Sequence, residues 1–133
     1  MSFGRKVLIG AVALLVTLGL GFAWGASGRL TVQSSLDAAR QQLDLLEASG
    51  AVLNARVSLY NMNFGDASRH LEQSKEPLRR LKDRYQDAGK NDAASSADAA
   101  LRHVDEAQRL AGKLDPSANN AAGQALDALR VLR

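Results

Sequence analysis

The sequence predicts an all-α protein with an N-terminal single transmembrane helix followed by an antiparallel bundle of about four amphipathic helices. Three observations point there. Ala and Leu dominate a chain of 133 residues with 5% aromatics and two prolines, a composition that favours helix over strand. Residues 7–26 carry no charge at all. Beyond them, apolar residues recur in steps of three and four, the spacing of one helix face. The expected organisation is a short cytoplasmic N-terminus (1–6), a transmembrane anchor (7–28) and an exported bundle (29–133). The bundle's helices are expected at about 30–61, 64–88 (kinked at Pro77), 92–114 and 116–132.

The run VLIGAVALLVTLGLGFAWGA comes first. At about 1.5 Å per residue it spans roughly 30 Å, the thickness of a bilayer's hydrocarbon core. It is apolar on every side, unlike an amphipathic surface helix. Arg5 and Lys6 precede it and Trp24 stands near its far end. Two basic residues ahead of a span favour a cytoplasmic N-terminus; Arg29 beyond it tempers that bias. The other reading of the same residues is a cleaved signal peptide, with Ala23-Trp24-Gly25 or Ala26-Ser27-Gly28 as the cleavage site. Trp24 and the length of the run favour a retained anchor, and either reading exports the body. Ala13, Thr17, Gly21 and Gly25 recur every fourth residue. Small residues at that spacing form a face on which a second membrane helix can pack closely.

The next helix carries a heptad seam at Val32, Leu36, Ala39, Leu43, Leu46, Gly50, Leu53, Val57, Tyr60 and Phe64. Gly50 weakens it by about 1 kcal/mol relative to Ala, so a bend is expected at Ser49-Gly50. Asn61–Gly65 reads as a turn, with Asn63 capping the second helix and Asp66 in its first turn. That helix has Leu71, Ser74, Leu78, Leu81, Tyr85 and Ala88 as its seam. Pro77 lies inside it, where proline costs about 3 kcal/mol, so a kink or break is expected. Gly89 ends it. The third seam runs Ala93, Ala97, Ala100, Val104, Ala107, Ala111 and Leu114. Asp115-Pro116 starts the fourth helix, with Ala118, Ala122, Ala125, Leu129 and Leu132 as its seam. The last two seams are mostly alanine and bury little area each, so those faces must pack closely, or another subunit must finish the core.

Little of this points to chemistry. The chain has no cysteine, which removes disulfides, thiolate metal sites and cysteine nucleophiles. His70 and His103 are the only imidazoles and lie beside seam positions. The order His103-Val-Asp-Glu106 reverses the Glu-x-x-His pair of di-metal bundles and has no second copy. No nucleophile elbow or phosphate loop is present. The formal charge of +3 shrinks without Arg5 and Lys6, leaving 15 basic residues against 14 acidic ones. Nucleic acid is therefore not an expected partner. No enzyme activity, cofactor or metal is expected. Lys75, Arg79 and Lys82 share one helical side and could touch lipid headgroups or an acidic partner.

The stretch Ala55–Ser74, ARVSLYNMNFGDASRHLEQS, resembles a tetratricopeptide (TPR) helix–turn–helix. Ala55 matches the small residue of the repeat's first helix, and Asn63-Phe64, Ala67, Leu71 and Ser74 match its turn and second helix. The repeat's usual Trp and Leu-Gly are absent, and no second copy follows at the 34-residue period. The resemblance covers about 20 residues and implies a TPR-like hairpin that binds proteins.

Ala, Arg and Asp usage points to a bacterium, with the anchor in its inner (cytoplasmic) membrane and the body in the periplasm. The expected role is a non-catalytic scaffold or accessory subunit that docks its membrane helix and helical body onto a larger complex. Leu36, Leu43, Leu46, Leu53, Val57, Tyr60, Phe64, Leu71, Leu78 and Leu81 would carry the helix packing. Expected partners are the lipid bilayer and other membrane or periplasmic proteins, self-association included. Three alternatives stand beside it: a TPR-like periplasmic adaptor for exported proteins, a periplasmic sensor or ligand-binding bundle, and a small stabilising subunit of a photosynthetic or respiratory complex.

Overall fold

The computed structural model describes the backbone of residues 3–133 and the side chains of residues 31–133. Four helices follow in order: α1 (Phe3–Tyr60), α2 (Phe64–Asp87), α3 (Asn91–Ala111) and α4 (Ala118–Arg130). No strand occurs among the described residues. None of the helices is long and apolar enough, among the described residues, to cross a membrane. The anchor expected at 7–28, with Ala13, Thr17, Gly21 and Gly25, lies outside the residues whose side chains are described. The chain divides into two compact units, Met1–Ala39 and Arg40–Arg133. In the first, the hydroxyls of Ser34 and Ser35 both donate to the Thr31 carbonyl at 2.9 Å, closing polar groups onto the helix backbone.

The second unit is a four-helix bundle. Short turns make neighbouring helices antiparallel, and α3 packs against both α2 and α4. Arg56 of α1 donates from Nε to the Asn119 side-chain oxygen of α4 at 2.8 Å, so the first and last helices also meet. A repeat array would keep those two apart; here the helices close around one core.

Each turn contains one residue in the left-handed backbone region: Met62 (φ 57°), Gly89 (φ 70°) and Leu114 (φ 58°). Only the middle turn uses glycine, the residue for which that conformation is free of Cβ crowding. Asn63 caps α2, its side-chain oxygen accepting from the Asp66 amide at 3.2 Å. Leu114 leaves the helix rather than ending its seam, because the Asp115 amide reaches back to the Leu110 carbonyl at 3.0 Å. Asp115 does open the next element: its carboxylate accepts from the Ser117 amide at 2.8 Å. A tight turn then intervenes, with the Ala118 amide on the Asp115 carbonyl at 3.1 Å, so α4 starts two residues later than expected.

Neither expected weak point breaks a helix. α1 runs through Gly50 and α2 runs through Pro77. Pro77 is buried, so its ring contributes packing that offsets the lost backbone bond. Ser74, also buried, donates to the Leu71 carbonyl at 2.7 Å.

The core is built from Leu45, Ala48, Val52, Ala55 and Leu59 of α1; Ala67, Leu71, Leu78, Leu81 and Tyr85 of α2; Val104 and Ala94, Ala97, Ala100, Ala107 and Ala111 of α3; and Leu129 with Ala118, Ala121, Ala122 and Ala125 of α4. Leu71, Leu78 and Leu81 are thus where the spacing put them, and Phe64 packs half-buried against the cluster. The seam of α1 is not. Leu36, Leu43, Leu46, Leu53, Val57 and Tyr60 are all exposed. The helix carries two apolar series with the same three–four steps, and their centres lie roughly 140° apart at about 100° per residue. The series that faces the bundle contains Ala48 and Ala55, which let α1 approach an alanine-rich partner surface. It is also flanked by Asp44, which α2 holds.

Candidate interaction surface

Two candidate surfaces emerge from the sequence: the basic strip of α2 and the apolar seam of α1. The structure treats them in opposite ways. Two residues of the basic strip, Lys75 and Lys82, pair with α3, while Arg79 stays exposed. Lys75 Nζ sits 2.9 Å from Asp105 and 3.1 Å from Glu72, and it also donates to the side chain of Gln108. Its side chain is only 12% exposed. Burial pulls the Lys75 pKa down, but the bonds to Asp105 and Glu72 outweigh it and leave the net shift upward. Lys82 binds Asp98 of α3 at 2.7 Å, and Asp98 also pairs with Arg102. The Lys82 bond, then the two cations' fields, hold the Asp98 carboxyl below the usual carboxylate range. Arg79 alone keeps a loose contact, 3.8 Å from Glu76. Of the three residues expected to form an interaction surface, Lys75 and Lys82 thus pair α2 with α3 and Arg79 remains exposed.

A second network ties α1 to α2. Asp44, with a side chain 6% exposed, accepts from Arg80 Nε and Arg84 Nε, both at 2.9 Å. Arg80 also donates to Glu47 at 2.9 Å. The Asp44 bond is the main reason the Arg80 pKa is raised. Two arginines on one carboxylate balance its charge and use its lone pairs, which is what a buried carboxylate requires. Spacing arguments missed Asp44, Asp98 and Gln108. The signal for Asp44 was present: it is an acid inside the apolar run Leu43–Leu46, facing a helix rich in arginine.

No buried side-chain nitrogen or oxygen among the described residues lacks a hydrogen-bond partner. The bundle's interior therefore holds no idle polar group aimed at a ligand. His70 Nδ1 lies 3.2 Å from Gln73 Oε1, and no group of three or more metal-ligating side chains assembles among the described residues. A groove of about 370 Å³ runs between α1 and α4, lined by Ser49, Leu53, Arg56, Asn119, Gly123 and Arg130 among others. The Arg56 guanidinium lies across Gly123, where a Cβ would come within 3.7 Å of Cζ. Arg130 stands 3.5 Å from Asp127, both largely exposed.

The apolar seam of α1 is left open. Leu43 (63%), Leu46 (56%), Leu53 (47%), Val57 (61%) and Tyr60 (82%) form one stripe on the side of α1 turned away from the core. At Gly50, in the middle of the stripe, an added Cβ would meet nothing within 4 Å. Scattered exposed leucines are ordinary, but a contiguous apolar stripe of this size is uncommon on a soluble surface and is the candidate interaction surface of this chain.

Comparison with protein-family models, with curated proteins and with solved structures gives no match to this chain.

Proposed function

We propose that this chain is a non-catalytic, membrane-anchored scaffold or accessory subunit whose helical body docks onto a larger membrane complex. The observation that carries the reading is the charge-free run at 7–26 leading into a helix whose outer side keeps an apolar stripe open, a body built to be held at a membrane and covered by other polypeptide. Lys75, Arg80, Lys82 and Arg84, in contrast, are engaged in ion pairs between the chain's own helices. The charge-free run at 7–26, preceded by Arg5 and Lys6, supports an anchor with a cytoplasmic N-terminus. In a bacterium the bundle would then lie on the periplasmic side of the inner membrane.

The test is mild-detergent purification from native membranes with mass spectrometry, alongside carbonate extraction. The expected result is a chain that stays in the membrane pellet and brings one defined complex with it. A chain that washes out in carbonate, or whose mature form begins near residue 27, overturns the anchor. A chain that purifies without a stoichiometric partner overturns the scaffold role.

A further inference from the structure

The stripe on α1 has a spacing that commits it to a particular kind of occupant. Leu43, Leu46, Gly50, Leu53, Val57 and Tyr60 step by three and four without interruption, the repeat of a two-stranded coil seam. We propose that a second copy of this chain covers it, α1 against α1 in parallel and in register.

Three observations support that occupant. The first is area. Five large side chains exposed by about half or more leave on the order of 500 Å² open, so a pair of copies buries on the order of 1,000 Å² from them alone, the lower bound of a specific interface. The second is charge. In a parallel pair the residues flanking the seam bring Gln42 of one copy to Glu47 of the other, and Arg56, held by Asn119 of its own chain, stands on the side of the uncharged Asn61, so no like charges are opposed. The third is close approach. Gly50, with open space where its Cβ would be, lets the two backbones draw together.

The parallel sense rests on the anchored-scaffold reading, since two copies inserted from one side of a membrane share their direction. The pairing itself rests on the stripe.

The chain has no cysteine, so single cysteines report contacts cleanly. Full-length Leu46→Cys and Leu53→Cys, oxidised gently in native membranes, are expected to give at least tenfold more disulfide-linked dimer than Arg79→Cys or Arg102→Cys, whose positions are exposed on other helices. Dimer yields no higher than those controls overturn the pairing. Cross-linking between Leu46→Cys and Val57→Cys chains without self-linking at either position overturns the parallel sense. Adding Leu46→Lys and Leu53→Lys to a Val57→Cys reporter is expected to abolish its dimer while far-UV circular dichroism is unchanged; a dimer that survives both lysines also overturns the proposal. These readouts separate from those above. A chain that cross-links yet brings down no larger complex sinks the scaffold role and keeps the pair.

Discussion

Replacing Asp44 with alanine tests whether α1 is held to the bundle by charge as well as by packing. Asp44 accepts one bond from each of Arg80 and Arg84, and its side chain is 6% exposed. Removing one partner of a fully buried pair costs about 3–5 kcal/mol. Here the arginines are 37% and 31% exposed, so water can solvate the freed guanidinium groups and the cost falls. Arg80 also keeps Glu47 at 2.9 Å. The two lost charge-assisted bonds then leave a penalty of about 1.5–3 kcal/mol. For a bundle of this size that lowers Tm by very roughly 6–20 °C. Urea melts followed by circular dichroism measure it, and a double-mutant cycle with Arg84→Ala isolates the pair term. A loss under 0.5 kcal/mol, or a coupling of zero, would show that the two arginines do nothing for Asp44 beyond what water does.

Neighbouring leucines on α1 should respond very differently. Leu45→Ala, at a position 2% exposed, is expected to cost about 2–5 kcal/mol, whereas Leu46→Ala, 56% exposed, changes the stability of the isolated chain by no more than about 0.5 kcal/mol; equal losses in urea melts would place the wrong face of α1 in the core. Leu114→Gly relieves a left-handed backbone at a side chain 67% exposed and is expected to stabilise by about 0.5–1 kcal/mol; a lower Tm would mean that Leu114 packs on something. Acid should weaken the α2–α3 seam. Glu72, held low by the Gln108 bond and then by Lys75, and Asp98, held low by Lys82, have folded-state pKa values below their unfolded ones. Their contribution is complete above about pH 4.5 and disappears as pH falls through the depressed values. Thermal melts from pH 6 to pH 2.5 should show Tm falling mainly below pH 4.5, with a shallower fall in Glu72→Gln; a flat profile contradicts the network.

The periodicity of α2, α3 and α4 was sufficient to find their buried faces because each has one apolar series. Leu71, Leu78 and Leu81, then Ala97, Ala100, Val104 and Ala107, then Ala118, Ala122, Ala125 and Leu129 all reach the core. In α1 the same method found the series that a single chain leaves exposed, not the one that faces the bundle. Ranking by size favours Leu43, Leu46 and Leu53 over Ala48 and Ala55, yet the buried face alternates those alanines with Leu45, Val52 and Leu59, and the small residues between large ones let α1 come close to its neighbours. Ion pairing between helices was invisible for a related reason. Spacing along one helix says which residues share a face, but Lys82–Asp98 and Asp44–Arg84 depend on how two helices are set side by side. The basic residues of α2 therefore looked free when most were already committed.

The exposed seam of α1 and the paired cations of α2 have one physical root, and it bears on function. A small bundle has limited apolar area with which to offset its chain entropy. With alanine lining α3 and α4, much of its specificity falls to close approach and to half-buried ion pairs. Large apolar residues that would have deepened that core instead stand on the outer side of α1, where they add nothing to the folding of a single chain. Left in water, they cost solubility and invite non-specific association. They make physical sense if another helix covers them, and their unbroken three–four spacing selects a helix of matching pitch over a flat apolar surface. The stability of the chain and the surface it offers are thus carried by different faces of α1. Substitutions on the outer face should therefore change assembly while leaving the fold alone.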